Sequence, residues 1–245
     1  MRIAIVLDIH GNRTAFDAVL LDLRDAAPDL VLHGGDLADG GSSPIEIVDR
    51  IRDLGWQGVL GNGEEALSTP GSLEEFVSKS AAPPPLWAAV REMMAATRRA
   101  LGEERVACLS GIPRVLIQDP IALVHAGPET PWRSPGPEAS DAELESVYGP
   151  LGQSISVYGH IHRSFVRRVP CSQGAEILVA NTGSVSLSYD GDCRAAYLLL
   201  DDSRATIRRV EYDVEKEIKV LSTLRILPHS DWVAKTLRSG RPQML

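Results

Sequence analysis

The sequence predicts a mixed α/β protein in which two β-sheets pack together with helices outside. Three observations predict it. The first third alternates short β-branched apolar runs with helical periodicity, which gives β-α-β-α-β and parallel strands joined by right-handed crossovers. From Ile155 onward, strand patterns follow one another quickly and read as antiparallel. No linker divides the 245 residues, so a single domain over 1–245 is favoured.

Arg2–Leu7 reads as a buried strand. Thr14–Ala26 carries Ala15, Ala18, Val19, Leu21 and Leu23 at mostly helical spacing and stops before Pro28. Leu30–His33 is a second strand, Ile45–Leu54 a helix closed by Gly55, and Gln57–Leu60 a third strand. The chain then changes character. Ser72–Ser80 and Leu86–Gly102 read as helices on either side of Pro83-Pro84-Pro85, within a helical insert over about 65–108. Arg114–Gln118 and Ile121–His125 flank Asp119-Pro120 as a hairpin, Gly127–Ser140 is a Pro/Gly-rich loop, and Asp141–Tyr148 is a short helix. Strands follow at Ile155–Tyr158, Phe165–Val169, Glu176–Ala180, Ala195–Leu200 and Thr206–Tyr212. The tail over about 213–245 is helical at Val214–Leu224 and Asp231–Leu237.

Composition removes several function classes. At 44% hydrophobic and 24% charged residues the chain is an ordinary globular protein, which excludes wholesale disorder. No apolar run reaches the roughly 18 residues of a membrane span, and Asp8 and His10 interrupt the first apolar stretch, so neither a membrane anchor nor a secretion leader is expected. A net charge of −8 argues against bulk binding to nucleic acid or anionic lipid. Cys108, Cys171 and Cys193 are far apart and odd in number, which fits idle thiols in a reducing cytoplasm. Without a leader, the sequon Asn12-Arg13-Thr14 is a chance match.

The polar residues fall at one kind of place. Five apolar strands deliver, in turn, Asp8-Ile9-His10, Gly34-Gly35-Asp36, Gly61-Asn62, His125 and Gly159-His160-Ile161-His162. Ligands of α/β sheets bind outside the carboxyl ends of strands, so these five motifs converge on one rim. Each alone has an ordinary explanation: a solvated turn, an Asn-Gly turn, a packed core histidine. His160-x-His162, read as strand, places both imidazoles on one face. The conjunction is what carries the reading. Two carboxylates, four imidazoles and one amide exceed the needs of one ion and suit two ions sharing a bridge. No thiolate is present, so a structural zinc site is disfavoured. Mixed N/O ligation suits Mn, Fe, Zn, Co or Ni. A pair of divalent ions activates a bridging water as hydroxide and clamps phosphoryl oxygens during in-line displacement.

At these residues the sequence resembles the calcineurin-like metallophosphoesterase superfamily, whose pattern is D-x-H, G-D, G-N, H and G-H-x-H in this order. Gly35-Asp36 through Pro44, Asn181-Thr182-Gly183-Ser184-Val185 and Arg209-Val210-Glu211-Tyr212-Asp213 extend the resemblance to a prokaryotic branch of YfcE-like and related phosphodiesterases. The resemblance implies a four-layer α-β-β-α sandwich of two mixed sheets. It implies that Asp8, His10 and His162 hold one divalent ion, that Asn62, His125 and His160 hold the other, and that Asp36 bridges them. Manganese is the expected metal, with Fe, Zn, Ni or Co as alternatives. The implied activity is hydrolysis of a small phosphodiester or phosphomonoester. Two other readings compete: a nucleotide pyrophosphatase of the diadenosine-tetraphosphatase kind, from Val124-His125-Ala126-Gly127, and a non-catalytic interaction scaffold on the same fold. The oligomeric state is not legible.

Departures from the pattern matter. Many members carry His after the motif Asn, as acid to the leaving group; here it is Gly63. Glu64 follows and is the candidate for that proton, and Gly63→His is expected to supply the missing acid. Gly40 stands where phosphatases carry Arg, and Ser188-Tyr189 where the branch often has Pro-Arg. Asn12 and Arg13 open the first helix near the rim and are candidate phosphate contacts. Gly61-Asn62-Gly63-Glu64-Glu65-Ala66 mimics a dinucleotide loop, but its two glutamates would repel a pyrophosphate. His33 reads as a packed strand-end residue, His229 as a helix-entry residue, and Trp87 with Met93 and Met94 as packing of the insert. Trp132 reads as a loop anchor near the pocket.

Overall fold

A computed structural model describes residues 1–172, 174–202, 204–223 and 230–243. His229 lies outside them. The apolar runs become strands and the periodic stretches helices. β1 (Arg2–Val6), α1 (Arg13–Ala26), β2 (Leu30–His33), α2 (Pro44–Leu54) and β3 (Gln57–Gly58) form the opening β-α-β-α-β unit. α3 (Asn62–Ser68), α4 (Ser72–Ser78) and α5 (Pro84–Ser110) follow, then the hairpin β4 (Val115–Gln118) and β5 (Ile121–Val124) and helix α6 (Asp141–Tyr148). β6 (Ile155–Tyr158), β7 (Phe165–Pro170), β8 (Glu176–Asn181), β9 (Ala195–Asp201) and β10 (Arg204–Val210) complete the sheets, and α7 (Val214–Thr223) and α8 (Ser230–Ser239) close the chain.

The strands make two five-stranded sheets, ordered β10-β9-β1-β2-β3 and β4-β5-β6-β8-β7. β1, β2 and β3 are parallel, as are β5, β6 and β8; β4, β7, β9 and β10 pair antiparallel. Strand alternation builds the layers. Ile3 and Ile5 of β1 point into an inter-sheet core with Leu32, Leu123, Val157 and Leu198, while Ala4 and Val6 turn to the other side, against α1, α2 and α5. Val124, Tyr158 and Val179 pack outward against α6. The result is helix, sheet, sheet, helix, as the resemblance implies.

Several boundaries differ from the sequence expectation, each for a local reason. β3 ends at Gly58: Val59 N–H still donates to the His33 carbonyl of β2 at 3.1 Å, but Leu60 N–H turns away to the Pro113 carbonyl at 2.8 Å. The Asn62-Gly63 pair, read as a tight turn, instead opens helix α3. The helical conformation does break at Gly102, as read (φ 71°, ψ 169°), but a second helical stretch follows and carries α5 on to Ser110. β10 runs from Arg204 to Val210, because its register with β9 pairs Arg204 with Asp201 and Val210 with Ala195, and Glu211 and Tyr212 leave the sheet. Among the described residues, no helix is long and apolar enough to cross a membrane.

Candidate metal centre

The carboxyl ends of β1, β2, β5 and β6 and the start of α3 meet at one rim. There the backbone is under strain. Seven non-glycine residues among those described have positive φ, and five of them are Asp8, His10, Asp36, His160 and His162. Left-handed backbone costs on the order of 1 kcal/mol or more per residue. Its concentration on the expected ligands means that the surrounding packing aims these side chains against local preference.

Strain also corrects one expectation. His160 and His162 are not on a strand, since β6 ends at Tyr158 and both residues are left-handed, at φ 67° and 54°. Period-two alternation therefore does not set their directions. The two rings part company, and each joins a different group of ligand atoms.

The first group is Asp8, His10 and His162, each buried. His10 Nε2 faces His162 Nε2 at 3.2 Å, and His162 Nε2 lies 3.7 Å from Asp8 Oδ1. The second is Asn62, His125 and His160. Asn62 Oδ1 lies 3.0 Å from His125 Nε2 and 2.8 Å from His160 Nδ1. Asp36 Oδ2 stands between the groups, 3.7 Å from His10 Nε2 and 3.5 Å from His125 Nε2. One carboxylate oxygen thus faces both sets. All seven residues singled out in the sequence come together.

The far ring nitrogens show which atoms are free. His162 Nδ1 donates to the Leu187 carbonyl at 2.6 Å, and His125 Nδ1 to the Gly34 carbonyl at 2.8 Å. His10 Nδ1 faces the Asp39 carbonyl and Oδ2, both at 3.2 Å. Carbonyl and carboxylate oxygens only accept, so these nitrogens carry hydrogen and each Nε2 is left for a cation. Asp8 Oδ1 is buried with no hydrogen-bond partner among the described residues. Burial pushes the Asp8 carboxyl up to about 7 and Asp36 well above its usual range. Burial also presses His10 down, but Asp39, Asp36 and Asp8 together outweigh it and lift the imidazole to about 10. Burial, with other imidazoles adding, holds His125 and His162 well below theirs. Buried acids reluctant to ionise beside His125 and His162, both reluctant to protonate, form a set that a divalent cation satisfies at once.

Supporting residues lock the loops. Asn181 Nδ2 donates to the Gly159 carbonyl at 2.6 Å, and Ser184 Oγ to the Asp8 carbonyl at 2.9 Å. Glu64 is fully buried. Its Oε2 accepts from Asp36 N–H (2.7 Å) and Gly61 N–H (2.9 Å), and its Oε1 from Leu37 N–H (2.8 Å). Both oxygens are committed to the main chain, which does not fit the expected role of leaving-group acid. Glu64 is a clamp on the Asp36 loop.

Asn12 and Arg13 also depart from expectation. Asn12 is the N-cap of α1 and is fully buried: its Oδ1 accepts from Ala15 N–H at 2.9 Å and its Nδ2 donates to Ser186 Oγ at 3.1 Å, which gives it a structural role at the start of the helix. Arg13 is exposed and pairs with Asp17 at 3.5 Å. His33 is packed at the end of β2, as expected. Trp87 meets Phe76 edge-on, within the insert. Trp132 stacks on Phe76 with ring centroids 4.8 Å apart, and its Nε1–H donates to Glu65, which also pairs with Arg114. Glu65, Arg114, Trp132 and Arg133 line a cleft of about 590 Å³. The sequence reading missed Asp39, which groups with His10 and Asp36 as a third cluster able to hold metal.

A sandwich of two mixed sheets carrying paired Asp/His clusters at one rim defines a metallophosphoesterase fold with a buried candidate metal centre. Residues 1–204 match the calcineurin-like phosphoesterase superfamily domain, and the chain belongs to that superfamily. It is 29% identical to the uncharacterized protein MJ0912 of Methanocaldococcus jannaschii over 98% of each chain. Its fold is similar to that of a metallophosphoesterase from Sphaerobacter thermophilus (24% identity, TM-score 0.78, 98% of this chain and 100% of that one). It is also similar to that of the hypothetical protein PH1004 from Pyrococcus horikoshii OT3 (17% identity, TM-score 0.80, 99% of each chain). These two likenesses bear on the fold alone.

Proposed function

We propose that this protein is a binuclear-metal phosphoesterase that hydrolyses a small phosphodiester or phosphomonoester. The observation that carries the reading is the position of Asp36 Oδ2, within 3.7 Å of His10 Nε2 and 3.5 Å of His125 Nε2. On this reading Asp8, His10 and His162 hold one cation, Asn62, His125 and His160 the other, and Asp36 both. The N/O donor set, free of thiolate, favours manganese over a structural zinc, with Fe, Zn, Ni or Co as competitors. Two divalent cations held by these residues would supply an activated water and neutralise charge on a phosphoryl group.

The chain's own residues do the rest. Hydrogen bonds from Nδ1 of His10, His125 and His162 aim each Nε2 inward. Asn62 and His160 are only half-buried, so the ester enters on their side, while Asp8, His10 and His162 lie deeper. The cleft at Trp132 and Arg114, next to Glu65 at the start of α3, gives the organic part of the ester a place. Glu64 is committed to the backbone and position 63 has no side chain, so neither supplies a proton to the leaving group. Substrates with good leaving groups are therefore preferred. Three free cysteines suit a reducing cytoplasm.

The test is direct. Protein stripped of metal and reloaded with Mn²⁺ is assayed on an aryl phosphodiester and an aryl phosphomonoester, with Asp36→Ala as control. Hydrolysis that needs Mn²⁺ and Asp36 supports the reading. Equal activity in Asp36→Ala would remove the two-metal mechanism, and metal uptake without hydrolysis of either ester would favour a scaffold.

A further inference from the structure

Gly63 and Asp39 compete for one volume. A Cβ built on Gly63 would collide with Asp39 Oδ1 and lie 2.9 Å from Asp39 Cγ. The Gly63 N–H donates to Asp36 Oδ1 at 2.7 Å, which ties this backbone to the shared carboxylate and leaves it little room to retreat. Asp39 is 5% exposed. Its Oδ2 is 3.2 Å from His10 Nδ1, and its Oδ1 is buried with no hydrogen-bond partner among the described residues. Asp39, His10 and Asp36 each offer one ligand atom within 4.8 Å of the others.

We propose that Asp39 is a positioning residue of the metal centre, and that the missing side chain at position 63 is what admits it. The proposal rests on the two-metal reading above. Asp39 Oδ2 accepts the Nδ1 hydrogen of His10 and so fixes the tautomer in which Nε2 is the free lone pair. A carboxylate behind a ligating imidazole orients the ring and raises its basicity, and losing such a partner typically costs about 10- to 100-fold in metal affinity. The unpartnered Oδ1 also brings a third buried carboxylate to the centre. Asp8 and Asp36 would bring the charge of two divalent ions from +4 to about +2, and Asp39 brings it to about +1. Glu64 does not substitute for it, because three main-chain amides already occupy its oxygens.

The experiment compares wild type, Asp39→Asn, Gly63→Ala and the double variant by calorimetric titration with Mn²⁺, with folding checked by circular dichroism. Wild type is expected to take two ions per chain. Asp39→Asn is expected to weaken one of them by about 10- to 100-fold. Gly63→Ala, which only adds a methyl group, is expected to reproduce that loss by evicting Asp39, and the double variant to be no weaker than the weaker single variant. In zinc-loaded protein, the His10 Nδ1–H resonance is expected to move upfield in both single variants, a change that mere loosening of the fold would not confine to His10. Variants that bind as wild type does, or losses that add in the double variant, would overturn the proposal alone. A wild type that binds no divalent ion would overturn the two-metal reading and the proposal with it.

Discussion

His10 Nε2 and His162 Nε2, 152 positions apart in the chain, face each other at 3.2 Å, each with its Nδ1 turned toward an oxygen acceptor. Two such lone pairs do not rest together unless something positive lies between them. A proton on His10 can serve, since the surrounding carboxylates lift that imidazole to about 10; a divalent cation serves better, because it also draws in Asp8 and Asp36.

Metal should therefore stabilise the fold. At Mn²⁺ concentrations near 100 times Kd, mass action adds about 2.7 kcal/mol. For a chain of this size that raises Tm by several degrees, and chelator reverses it. His162→Ala should lose most of the rise. A Tm indifferent to Mn²⁺ in wild type would contradict the arrangement of these two rings.

Glu64 should matter for stability and not for proton transfer. Glu64→Ala leaves three buried amides without their acceptor, a loss on the order of 3 kcal/mol or more, read from urea denaturation of the chelated protein. Glu64→Gln, folded and metal-loaded, should show the same dependence of rate on leaving-group pKa as wild type. A steeper dependence in Glu64→Gln would return the acid role to this residue.

That dependence should be steep in wild type, since general-acid assistance, typically worth 10²–10⁴-fold, has no obvious donor here. The sequence makes Gly63→His the natural repair. The structure corrects this, because any side chain at 63 meets Asp39. Gly63→His should weaken metal binding and leave the slope steep. A flattened slope with intact metal affinity would show that Asp39 has room to move.

How much of this was legible in the sequence depended on range. Strand and helix patterns are local, so the β-α-β-α-β opening and α6 were readable, and the strand ends showed where ligands would gather. What escaped was decided at a distance. Asn62-Gly63 looks like a turn until Glu64 captures the Gly61 amide and opens a helix. His160-x-His162 suggests a strand until the left-handed backbone is seen. Asn12 looks free until it meets Ser186. Asp39 carried no motif of its own, and only the space above Gly63, 24 positions on, gives it a role.

His33 should govern part of the acid sensitivity of the metal-free protein. Burial lowers its imidazole from 6.5 to about 4, and its Nδ1 has no partner among the described residues. The unfolded chain takes up the proton first as pH falls. Stability is thus unaffected above about pH 6.5 and is lost progressively between 6.5 and 4, by about 3 kcal/mol at most. In chelator, His33→Gln should show a smaller drop in Tm across that window than wild type. Parallel curves for the two proteins would remove His33 from the account.

The central claim is that Asp36 serves two cations at once, and anomalous scattering at the manganese edge from crystals grown with Mn²⁺ tests it most directly. Two peaks are predicted, one among Asp8, His10 and His162 and the other among Asn62, His125 and His160, with Asp36 Oδ2 between them. A single peak, or none at this rim, would contradict it.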